Sequence, residues 1–88
     1  MTSQMKATID RTYAFYQQLA GKTFYFLITC GAPDASYIET MLAALRGFTC
    51  CVPDAKEGGY VLGVNAMEAG DIRQTGAMEK AYQMGCEV

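Results

Sequence analysis

The chain contains no histidine and only two prolines among 88 residues. No apolar stretch approaches the roughly 20 residues of a membrane span, and no run of like charge appears. Each absence removes a class of function. Without histidine, the commonest general base and a frequent zinc ligand are missing. The four cysteines, Cys30, Cys50, Cys51 and Cys86, show no C-x-x-C spacing, so a structural metal site is not expected. Seven basic and nine acidic residues lie interspersed, with a net charge of −2. That balance lacks the basic patch that phosphate neutralisation requires and argues against nucleic-acid binding. The first 20 residues carry Asp10 and Arg11 without a long apolar core, which does not fit a signal peptide. A cytoplasmic, reducing setting with free thiols is therefore the expectation.

What is present is a small globular composition, 51% hydrophobic and 18% charged. At this length a chain buries only about 60–65% of the surface its unfolded form exposes, so a lone copy is marginal. The strongest local signal is Phe24–Ile28, an apolar run without alternation, closed by Cys30-Gly31-Ala32-Pro33. A continuous run predicts a strand, Thr23–Thr29, buried on both faces. Before it, Met5, Ile9, Tyr13, Tyr16 and Leu19 recur at helical spacing, which predicts one helix over Ser3–Leu19 capped by Thr2 or Ser3 and ended at Gly21. Phe15 points off that stripe and suggests an exposed partner surface.

After the strand, Ser36-Tyr37-Ile38-Glu39 reads as a capping box. The helix it opens turns Met41, Leu42, Leu45 and Phe48 inward and ends near Gly47. Of Cys50 and Cys51, one is expected to pack inward and the other to sit at the helix end. Gly58-Gly59 precedes a second strand, Tyr60–Asn65, in which Gly63 marks a weakness or a close backbone approach. A polar loop leads to a last helix, Ala77–Met84, with Ala77, Met78, Ala81, Tyr82 and Met84 toward the sheet. The pairs Asp54 with Glu57 and Glu68 with Asp71 read as solvated carboxylates. The order is α-β-α-β-α, an α/β class with a parallel strand pair. Such a pair is too small for independent stability.

Several segments carry a resemblance in register: Met1-Thr2-Ser3-Gln4-Met5-Lys6-Ala7 with Ile9-Asp10-Arg11-Thr12-Tyr13, Thr29-Cys30-Gly31-Ala32-Pro33-Asp34, Ala44-Leu45-Arg46-Gly47-Phe48, and Gly70-Asp71-Ile72 with Ala77-Met78-Glu79. Over essentially all 88 residues the chain resembles the C-terminal half of a flavodoxin-like flavoprotein of the NAD(P)H-dependent FMN reductase and iron–sulfur flavoprotein type. The resemblance implies a partial three-layer domain spanning residues 1–88, with FMN as the family cofactor and oxidoreduction as the family activity. It places Thr2, Ser3, Thr29, Cys30, Gly31 and Ala32 beside the flavin ring. The family's phosphate-binding loop and cysteine cluster have no counterpart here, so this chain alone is expected to bind no FMN and to be inactive. It reads as a truncated product or fragment with Met1 as an internal start, whose N-terminal half could be encoded separately.

The bland reading of Cys30-Gly31-Ala32-Pro33 is a tight strand-to-helix turn that needs glycine's backbone freedom and proline's fixed φ. Cys30 has no neighbouring base to activate it as a nucleophile. In the flavodoxin-like strand order, Phe24–Thr29 would have lost a neighbour. The expected consequence is a two-fold dimer with these strands antiparallel and Tyr60–Asn65 outside, or else a domain swap.

Overall fold

The computed structural model describes all 88 residues. The order is α1 (Ser3–Arg11), a 3-10 segment (Thr12–Leu19), β1 (Thr23–Thr29), α2 (Ser36–Thr49), β2 (Lys56–Gly63), a 3-10 turn (Asp71–Gln74) and α3 (Ala77–Cys86). β1 and β2 form a two-stranded parallel sheet, and the fold is mixed α/β. No helix is long and apolar enough to cross a membrane.

The first helix is half as long as its apolar spacing predicts. Thr2 caps it, its hydroxyl accepting the Met5 amide at 3.1 Å. The chain then tightens into the 3-10 segment and leaves helical geometry at Phe15, with φ −141° and ψ 27°. Thr8 and Thr12 donate their hydroxyls back to the carbonyls of Gln4 and Ile9. That contact competes with the helical ladder, and the run Thr12-Tyr13-Ala14-Phe15-Tyr16 is rich in residues that lose side-chain freedom in a helix. The intended stripe is correspondingly incomplete: Ile9 and Tyr16 are half-buried, whereas Tyr13 stands 80% exposed. Gly21 takes the left-handed position expected of it, at φ +75°.

β1 has the expected bounds, but it is buried on one face only. Phe26 and Ile28 are buried, while Leu27 is 66% exposed and Tyr25 also lies open. Ile38, Leu42 and Leu45, at i, i+4 and i+7 along α2, close over Phe26 and Ile28 to make the main core. Phe24 adds an edge-to-face contact with Phe48, ring centroids 5.9 Å apart. α3 covers the opposite face chiefly over β2, where Val61 and Ala77 are buried. Register pairs Leu27 with Val61, so both point to the α3 side; Val61 is buried there and Leu27 is left open. On α3 the inward stripe is Ala77, Ala81 and Met84; Met78 and Tyr82, expected toward the sheet, are exposed.

β2 begins at Lys56, four residues before its expected start, and ends at Gly63, two residues early. Gly58-Gly59 does not interrupt it. The register shifts between Phe24 and Tyr25, so Gly58 is the extra residue of a bulge. A Cβ at Gly58 would lie 2.3 Å from the Tyr25 ring, which explains why a glycine stands there. Gly63 is a place of close approach: a Cβ there would meet Ile72 Cδ1 at 2.4 Å and Ala77 Cβ at 3.5 Å.

α2 runs through Gly47 to Thr49. Its start uses no capping box. Asp34 Oδ1 accepts the Ser36 amide at 2.9 Å, and neither Ser36 nor Glu39 makes a capping hydrogen bond. This bond first, and the Ser36 hydroxyl second, hold the Asp34 carboxyl below its ordinary pKa. Glu57 is exposed, as expected, but it is paired. Arg46 donates to it through Nε at 2.7 Å and Nη2 at 2.8 Å, and the guanidinium lies 5.4 Å from the Tyr60 ring centroid. The pair ties the last turn of α2 to the start of β2. Asp71 likewise closes its own loop, accepting the Glu68 amide at 2.9 Å.

Candidate functional site

In open α/β sheets ligands sit beyond the carboxyl ends of the strands. Here that place is the turn Cys30–Ala35, between β1 and α2. The turn is closed by the chain itself. The Cys30 amide donates to the Gly63 carbonyl at 2.8 Å, the Ala66 amide to Cys30 at 2.9 Å, and the Asn65 amide to Ala32 at 3.0 Å. The segment after β2 therefore continues the pairing of the sheet past its end and takes up the polar backbone of the turn. Asn65, at φ +58°, turns the chain at that point.

Met67 then lies over Gly31. A Cβ on Gly31 would come within 2.8 Å of Met67 Cε and 2.9 Å of Sδ. Gly31 does not take a positive φ, so its glycine reflects space for Met67 rather than backbone freedom. Cys30 is half-buried against the main core, its thiol 3.7 Å from the Ala32 carbonyl. Thr29 is exposed. Thr2 and Ser3 are both exposed and occupied within α1: Thr2 caps Met5, and Ser3 donates to Gln4 Oε1. No hydrogen bond links them to the Cys30–Ala35 turn. Of the six residues the resemblance places around a flavin ring, Thr29 ends β1, Cys30, Gly31 and Ala32 follow it in the turn, and Thr2 and Ser3 lie at the start of α1.

The second feature is the outer edge of β1. Along a strand, successive residues direct their N–H and C=O groups to opposite edges. Lys22 accepts the Lys56 amide and Cys30 donates to Gly63, so the even-numbered residues of β1 face β2. The N–H and C=O groups of Tyr25, Leu27 and Thr29 therefore face away from β2, where no strand pairs with them. The segment Thr23–Thr29 has no charge, no proline and no extra bulge residue, the devices that usually protect an edge. Beside it, Leu27 opens onto an apolar hollow of 160 Å³ walled by Val61, Ile72, Ala77, Met78 and Ala81. Sequence spacing misses this surface, because a continuous apolar run carries no sign of which face is left uncovered.

Cys50 and Cys51 depart from expectation together. Both are exposed, and their thiols approach the same acceptor, the Gly47 carbonyl, at 3.1 and 3.5 Å. No family model, curated protein or solved structure matches this chain.

Proposed function

We propose that the chain is a non-catalytic association module, built like the C-terminal half of a flavodoxin-like NAD(P)H-dependent FMN reductase, whose sheet is completed by a second copy. The observation that carries this reading is the bare edge of β1: an unpaired, uncharged apolar strand in a sheet of two. Antiparallel pairing of the two β1 strands about a two-fold axis makes a four-stranded sheet with each β2 outside. Leu27 and Tyr25 of both copies then lie side by side on one face. Three or more strands with an apolar face suffice for stability where two do not.

The same reading makes FMN binding by this chain negligible. The turn that would face the ring has its backbone groups engaged and Gly31 under Met67. A ring contact without a phosphate anchor supplies little affinity. Sedimentation equilibrium and a flavin titration test both halves. The expected result is a dimer of the 9.6 kDa chain and unchanged flavin fluorescence. A monomer with full helix content refutes the association. Quenching at micromolar protein refutes the non-catalytic reading.

A further inference from the structure

At the opposite end of the sheet from the Cys30–Ala35 turn, α1 and the 3-10 segment meet the end of α2 around a cleft of 650 Å³. This lies in the size range of small-molecule sites, roughly 300–1,000 Å³. Ile9, Tyr13, Tyr16, Phe48, Val52 and Cys51 supply most of its wall. Tyr13 and Tyr16 stack with centroids 5.8 Å apart and present a flat aromatic surface. Two of the polar side chains of the wall are already engaged: Asp10 pairs with Lys6, and the Thr12 hydroxyl donates to the Ile9 carbonyl at 2.7 Å. What remains is mostly aromatic and aliphatic surface with a thiol at its rim and a second thiol next to it.

Those two thiols do not readily bond to each other. Neighbouring Cα atoms are about 3.8 Å apart across a trans peptide, whereas disulfides favour separations of roughly 4.4–6.8 Å. Both sulfurs nevertheless converge on the Gly47 carbonyl, which brings them to one side of the chain. The hydrogen bond from Cys51, and then its charge, raise the Cys50 thiol above its ordinary pKa. A dithiol that is exposed, reduced and unable to close on itself comfortably suits one atom that accepts two sulfurs.

We propose that Cys50 and Cys51 form a two-sulfur site for a trivalent thiophilic centre bearing one apolar substituent, with that substituent in the Tyr13–Tyr16–Phe48 cleft. For a monosubstituted arsenic(III) dihydroxide, two As–O bonds break and two As–S bonds form. Each thiol proton leaves with a hydroxide as water, so two waters are released. Neither arsenic nor sulfur changes oxidation state, and no further reagent is needed.

Phenylarsine oxide is the probe, added to the reduced full-length chain. The expected product is one phenylarsenic unit per chain, with the four titratable thiols falling to two, Cys30 and Cys86. Loss of one arm of a two-point attachment removes its effective concentration, so Cys50→Ser or Cys51→Ser weakens binding by about 100-fold or more. Cys30→Ser and Cys86→Ser leave it unchanged. Tyr16→Ala weakens phenylarsine oxide by about 3- to 10-fold and leaves arsenite, which has no substituent, unaffected. Modification at Cys30 or Cys86, or full affinity in either single serine variant at the pair, overturns the site. Equal effects of Tyr16→Ala on the two arsenicals overturn the assignment of the cleft.

Discussion

Gly63 and Gly31 would each, like Gly58, place a new methyl group within 3 Å of a neighbour, yet they differ in what must move. At Gly63 the added Cβ meets Ile72 Cδ1 at 2.4 Å, Thr29 Cγ2 at 3.3 Å and Ala77 Cβ at 3.5 Å. Gly63 and Ala77 are buried, and Ile72 is half-buried. The methyl is boxed between β1, the 3-10 turn and α3, so the half-buried Ile72 side chain must move and Thr29 Cγ2 must give slightly, while Ala77 Cβ stays at ordinary contact distance. Overpacking of this kind costs about 1–3 kcal/mol. Gly63 has no positive φ, so alanine also restricts the unfolded chain, which offsets about 0.4–1 kcal/mol. The net prediction for Gly63→Ala is a loss of about 1–2 kcal/mol. For a chain of this size that is a fall in Tm of roughly 4–15 °C. At Gly31 the only neighbour within 3 Å is the end of the Met67 side chain, which is 74% exposed and free to swing out. Only the unfolded-state term then remains, and Gly31→Ala is neutral or stabilising by up to about 1 kcal/mol. Urea denaturation of both variants at one fixed protein concentration reads the difference, since association makes midpoints concentration-dependent. A neutral Gly63→Ala, or a Gly31→Ala as damaging as Gly63→Ala, refutes the packing account of the two positions.

Ile38 is the most enclosed side chain, at 1% exposure. Ile38→Ala costs about 2–5 kcal/mol out of a total of about 4–13 kcal/mol expected for 88 residues, and circular dichroism will show partial or complete loss of helix at room temperature. Asp34→Ala lowers the urea midpoint more than Ser36→Ala does, because the Asp34 carboxylate accepts the Ser36 amide and the Ser36 hydroxyl is only a secondary donor to it. The Arg46 hydrogen bonds hold the Glu57 carboxyl below its ordinary pKa. A lowered folded-state value means the contribution is complete above the unfolded-state value and is lost as pH falls through the folded one. Denaturation midpoints will therefore fall as pH drops below about 4.5, and Glu57→Gln will flatten that slope.

The parts of the fold legible in the sequence are those set by local chemistry. β1 has its expected bounds because an aromatic and β-branched run is fenced by Gly21 and the Gly31-Ala32-Pro33 turn. The inward residues Leu42 and Leu45 follow from helical spacing, although Ile38, the best buried of that stripe, is overlooked because it falls inside an apparent capping box. What was not legible depends on partners distant in sequence. A bulge admits Gly58-Gly59 into β2, because the Tyr25 ring fills the space a side chain would need. Threonine hydroxyls and aromatic crowding end α1 at Arg11 although the apolar spacing continues. Two-sided burial of β1 fails at Leu27 because α3 packs chiefly over β2 and leaves Leu27 open. At the candidate site, the clustering of Thr29, Cys30, Gly31 and Ala32 follows from their adjacency. The closure of that turn by Asn65, Ala66 and Met67 joins residues more than thirty positions apart and has no local signal.

Pairing of the outer β1 edge with a second copy is open to residue-resolved amide hydrogen exchange. The amides of Tyr25, Leu27 and Thr29 have no partner within the chain. At high protein concentration, pairing protects them to the same degree as those of Phe26 and Ile28, and dilution removes their protection first. Rapid exchange at Tyr25, Leu27 and Thr29 in a sample where Phe26 and Ile28 are protected, at every concentration, would contradict it.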